Sequence, residues 1–123
     1  MDGRFFLNNL WRRSANMKEI EIQKSGRTLP YLRATQWNDD FESMMRNRLV
    51  MGAIRYGLLG EKNKPQYDRV SEIQKRLKKY RDTGNLEFLV DIANLALCEF
   101  VEGKHPNRHF KSSDDKEHVK KIK

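Results

Sequence analysis

The chain has a single cysteine, Cys98, in 123 residues. No disulfide can close within it, which suits a reducing compartment. No apolar run approaches the roughly 20 residues that a bilayer-spanning helix needs, so no membrane partner is expected. Phe5-Phe6-Leu7 is cut off by Asn8 and Asn9, too short for the apolar stretch of a secretory signal. The expected location is therefore cytoplasmic. There is no internal repeat, no coiled-coil pattern and no zinc-finger spacing. Acidic residues are also in the minority, 17 Asp and Glu against 25 Lys and Arg, for a net charge of +8. A surface of that sign attracts polyanions, so nucleic acid, a nucleotide or another phosphate ligand, or an acidic protein are the natural partners. The alternative is that lysines only solvate helix faces and a frayed terminus, since Lys116, Lys120, Lys121 and Lys123 crowd the end of the chain.

What is present is sized for one domain. The fold class expected is mainly α: a compact helical bundle of three core helices, residues 35–102, between an irregular N-terminal arm and a charged tail. In the arm, residues 1–34, Ile20 and Ile22 alternate before Gly26, and Leu29 precedes Pro30. That pattern predicts a small β-hairpin or an extended segment. The first core helix is expected over about residues 38–57. Phe41, Met44, Met45, Leu49, Gly52, Ala53 and Tyr56 recur at three- and four-residue spacing, with Thr35 or Asn38 as the cap. Met44, Met45 and Met51 are read as core filling in preference to an adaptable contact surface. A second helix, about 66–82, carries only a narrow stripe of Val70, Ile73, Leu77 and Tyr80 and should lie outside. A third, about 86–101, is apolar nearly all round and should be the most buried. Residues 103–123 form a basic and polar tail.

Glu87, Asp91 and Asn94 stack within a narrow arc of that third helix, at spacings of four and three. Buried carboxylates need a partner: a metal ion, arginine or lysine side chains, or solvent in a cleft. Carboxylates one turn apart can share Mg²⁺, which would bind phosphate oxygens and activate a water. Asp39, Asp40 and Glu42 are the candidates to complete such a shell. The competing reading pairs the stripe with Arg46, Arg48 or Arg55. Arg48 and Arg55 share a helix face and can hold a phosphate, or snorkel over apolar surface. His105, His109 and His118 are candidates for zinc, although Pro106 disfavours a helix there.

Glu87-Phe88-Leu89-Val90-Asp91-Ile92-Ala93-Asn94 resembles the acidic-x-x-x-Asp-x-Ala-Asn segment of small phage-type, MazG-like all-α nucleoside triphosphate pyrophosphohydrolase-related proteins. Gly52-Ala53-Ile54-Arg55-Tyr56-Gly57 is similar to a Gly-x-x-Lys/Arg-Tyr-Gly element of related phage sequences. The match covers about residues 37–102. It implies a Mg²⁺-dependent nucleotide site: Glu87 and Asp91 catalytic, Asp39, Glu42, Glu87 and Asp91 on the metal, and Asn94, Arg48, Arg55 and Tyr56 on the substrate. It places the chain in a host cytoplasm if a phage encodes it. Members of that superfamily carry Glu-Glu-x-x-Glu on one helix and Glu-x-x-Asp on the next. Here the first cluster is Asp39-Asp40-Phe41-Glu42 and the second is spaced by four, so a fourth clear metal ligand is missing. The alternative function is a non-catalytic accessory or inhibitor protein that binds a host protein or nucleic acid through its basic surface. A homodimer is expected to cover apolar surface of the third helix.

Overall fold

The computed structural model describes residues 26–112 and 117–122. Among these it is helical with no strand: α1 Leu29–Thr35, α2 Asp39–Tyr56, α3 Arg69–Thr83 and α4 Glu87–Glu102. Residues Asn38–Asn107 form one compact unit holding α2, α3 and α4. The described residues thus hold four helices rather than the three expected, and α1 lies outside that unit.

The extended segment expected around Thr28–Tyr31 is instead the start of α1. Thr28 caps it, its Oγ1 accepting from the Tyr31 N–H at 3.3 Å. Pro30 sits in the first turn, where a missing N–H leaves no helical bond unmade. The Ile20 and Ile22 part of the expected hairpin lies outside the described residues.

Local chemistry sets the other boundaries. Asn38 Oδ1 accepts from the Phe41 N–H at 2.8 Å and starts α2, with Asp39, Asp40 and Glu42 in its first turn. Asp68 accepts from both the N–H and hydroxyl of Ser71, so α3 begins at Arg69 rather than near Gln66. Gly84 ends α3 in the left-handed region, φ 72°, and its N–H bonds the Tyr80 carbonyl at 2.7 Å. Asn85 Oδ1 then accepts from the Glu87 N–H at 3.0 Å and opens α4.

Helix α4 packs against both α2 and α3, more extensively against α3. It holds the deepest apolar side chain among the described residues, Val90 at 3% exposure, and one of the buried polar ones, Asn94. Leu89, Ala93 and Leu97 are half-buried, as the expected core face requires. On α2, Phe41, Met45, Leu49 and Ala53 are half-buried, whereas Met44 and Met51 are exposed. Core filling is therefore the wrong reading for those two methionines. They lie on the opposite side of the helix from Met45 and Leu49.

Charge is divided between the packed helices. Helix α4 carries four acids and no lysine or arginine, while α3 carries six basic residues against Glu72 and Asp82. Arg69 at the start of α3 meets Glu99 and Glu102 at the end of α4, and Arg76 approaches Asp91 at 3.8 Å. Lys79 lies over the Phe88 ring at 5.8 Å. These pairs run in opposite order along the two helices and fix them antiparallel.

Candidate functional site: the acidic spine of α4

Each acid of α4 meets a cation from another segment. Arg48, projecting from α2, spans the first two. Its Nη2 lies 3.0 Å from Glu87 Oε1, and its Nε donates to Asp91 Oδ1 at 2.7 Å. The hydrogen bond to Asp91, with the charge of both acids, raises the Arg48 pKa further despite the cost of burial. Asp91 is the more enclosed partner, its side chain 20% exposed against 51% for Glu87. One turn on, Asn94 is nine-tenths buried. Its Nδ2 donates to the Met45 carbonyl at 3.0 Å, and its Oδ1 has no hydrogen-bond partner among the described residues.

A second cluster closes the far end of α4. Glu102 accepts from Lys64 Nζ at 3.1 Å, from the Gly60 N–H at 2.9 Å, and from Arg69. Arg69 also donates to Glu99 at 3.2 Å and stacks its guanidinium 5.9 Å from the Tyr67 ring centroid. Burial pushes the Glu102 carboxyl up, but the Gly60 N–H, Lys64 and Arg69 outweigh it and hold the pKa below the usual carboxylate range. Lys64 further donates to the Leu58 carbonyl at 3.0 Å, which ties the α2–α3 loop down on α4. The sequence reading missed this cluster, although a signal was there. Glu102 follows Asp91 by eleven residues, three helical turns, and continues the same stripe.

Of the residues expected to act together, the structure joins Glu87, Asp91 and Arg48, with Asn94 one turn away. It does not gather the expected metal shell. Glu42 pairs with Arg46 on the surface of α2 at 3.1 Å, and Asp39 stands in the first turn of that helix with no ion pair among the described residues. No group of three or more His, Cys, Asp or Glu side chains among the described residues is placed to hold a metal ion. Arg55 is exposed in the last turn of α2 and does not join Arg48 on the acids. Tyr56 turns its ring edge-on to Tyr67, centroids 5.7 Å apart. His105 accepts from the Asn107 N–H at 3.0 Å in a turn. Burial raises the pKa of the Cys98 thiol, more than Arg69 lowers it, so it stays protonated and a poor nucleophile at neutral pH.

Chemically, the arrangement is a set of satisfied carboxylates. Two ionised oxygens that already accept from a guanidinium offer a divalent cation a repelled site, because Arg48 would have to leave first. No helix of the described residues is long and apolar enough to cross a membrane. No protein-family model matches the chain, and neither a curated protein nor a solved structure does.

Proposed function

We propose that this is a non-catalytic binding protein that engages nucleic acid through its basic flanks, with α2, α3 and α4 as the scaffold between them. One observation carries this reading. The unit from Asn38 to Asn107 is close to neutral, with 12 Lys and Arg against 11 Asp and Glu, so nearly all of the +8 surplus belongs to the flanks. There, 13 basic residues stand against 6 acidic ones. The helical unit nearly balances its own charge, whereas the flanks carry a net positive surplus, which attracts phosphates.

The test is binding of the full chain to single- and double-stranded DNA and RNA across a salt series. Affinity should fall linearly in log–log form, by a slope of about 0.9 per phosphate contacted on duplex DNA. Replacing Arg12, Arg13, Lys18 and Lys24 with glutamine should flatten that slope. Replacing Lys75 and Lys78, which pair with Glu72 and Asp82 on α3, should leave it nearly unchanged. Absence of binding at low salt would end the proposal.

A second reading, a Mg²⁺-dependent nucleotide site at Glu87 and Asp91, is favoured by one feature, the unpartnered buried Oδ1 of Asn94. In it, Arg48 exchanges the two carboxylates for phosphate oxygens and frees them for the ion. Melting of the full chain with nucleoside triphosphates, with and without Mg²⁺, tests it: a ligand of the folded state raises the melting temperature.

A further inference from the structure

Helix α2 is apolar on two opposite sides. Phe41, Met45 and Leu49 face into the helical unit and are half-buried. On the other side, Met44, Asn47, Met51 and Ile54 follow one another at spacings of three, four and three, and fall within about 80° of arc. Leu58, four residues on, continues the spacing just past the helix. All are exposed: Met44 53%, Met51 58%, Ile54 80% and Leu58 64%. Alternating three- and four-residue steps are those of a helix–helix seam, here two heptads long.

We propose that this seam is the docking face for a second copy of the same chain, with the two α2 helices antiparallel. The charges at the ends of α2 select both occupant and direction. Asp39 and Asp40 occupy its first turn and Arg55 its last. None of the three has an ion pair among the described residues. A parallel pair would set acid against acid and arginine against arginine. An antiparallel pair sets the acidic first turn of each copy beside Arg55 of the other, and opposes the helix dipoles as well.

The seam is also self-complementary about its middle. Asn47 lies midway between Asp40 and Ile54, so a two-fold axis at its level brings the two Asn47 side chains together. An amide both donates and accepts, so it can pair with its own copy, and a lone polar residue in an apolar seam fixes register. The helical unit gains from the contact, because Val90 is its only deeply buried apolar side chain among the described residues. Dimerisation through α2 differs from the expectation drawn from sequence, which placed the uncovered surface on the helix that α2 and α3 already cover.

The experiment is sedimentation equilibrium of the full chain, with far-ultraviolet circular dichroism as the folding control. The chain should dimerise, and Ile54→Glu should weaken the dimer by about tenfold or more while helix content holds. Asp40→Lys and Arg55→Glu should each weaken it, and the two together in one chain should restore it, since the ends are matched again. A chain that stays monomeric at every concentration overturns the proposal. So does a dimer indifferent to Ile54→Glu. Failure of the combined Asp40→Lys, Arg55→Glu chain to recover overturns the antiparallel pairing. If Ile54→Glu unfolds a monomer, the face is covered by the chain's own residues and the proposal falls; the Asp40 and Arg55 exchange still reports on any dimer independently of that variant.

Discussion

Arg48 and Asp91 are 43 residues apart in the chain, and the Nε of one donates to Oδ1 of the other at 2.7 Å. That bond joins α2 to α4 and decides what the acidic stripe is. An arginine that bridges two acids offsets their mutual repulsion and donates to both, work that a metal ion would otherwise do.

Removing either partner should therefore cost stability. Arg48→Met and Asp91→Asn are each expected to lower it by about 1–3 kcal/mol, toward the lower end because Arg48 is partly exposed and Arg76 remains near Asp91. The double variant should cost less than the sum of the two. Urea denaturation reads all three. A metal site predicts the opposite for Asp91→Asn, since removing one of two repelling acids would leave the fold intact or firmer.

Asn94 offers a sharper contrast. Asn94→Asp puts a charge into a nine-tenths buried position beside the Met45 carbonyl, which it cannot bond. A loss of several kcal/mol is expected. Asn94→Leu removes the unpartnered Oδ1 along with the donor, and should cost about 1 kcal/mol or less. Thermal melts should rank the leucine variant well above the aspartate one.

The pH dependence follows from Glu102, whose pKa is lower in the folded chain than its ordinary value. A lowered carboxyl binds its proton more readily when unfolded. Its contribution is therefore complete above the ordinary carboxylate range and is lost as pH falls through that range to the folded value. Denaturation measured from pH 7 down to pH 3 should show stability falling on this limb, and Glu102→Gln should flatten it. Glu102→Gln should also lower stability at pH 7, where the ionised form holds Lys64 and Arg69.

Gly84 should tolerate no side chain without cost. Its φ of 72° lies in the left-handed region, and no atom within 4 Å would meet an added Cβ. The penalty of Gly84→Ala is thus conformational alone, about 1–2 kcal/mol. A smaller drop in melting temperature would mean that the α3–α4 turn relaxes.

The three long helices could be read in advance because apolar spacing is a property of one segment at a time. Capping was equally local, and Asn38 serves at its expected helix start. The outward side of α2 was not legible. Met44 and Met45 are neighbours in sequence but point about 100° apart, and spacing alone cannot say which of two apolar arcs meets the rest of the protein. Nor was the partner of the acidic stripe. Arginine and metal ion were both open until Arg48 was seen to reach Asp91, because that choice depends on how α2 crosses α4. At α1 a local rule misled: the residue before proline favours extended backbone, but Thr28 and the first-turn position of Pro30 turned the segment helical.

The short α3–α4 connection sets an order of assembly. Only Gly84, Asn85 and Leu86 separate the two helices, so contacts beside that turn are nearly local and closing them costs little chain entropy. Helix α2 must instead close a loop running from Gly57 to Leu86 before Arg48 can reach the acids. Lys79 and Phe88, which flank the α3–α4 turn, are therefore expected to meet early, and Arg48, 43 residues from Asp91, is expected to dock later. In chevron measurements, Phe88→Ala should mainly slow folding, whereas Arg48→Met should mainly speed unfolding. On that order, the feature that most resembles a catalytic site from sequence is completed late in folding, when Arg48 reaches Glu87 and Asp91.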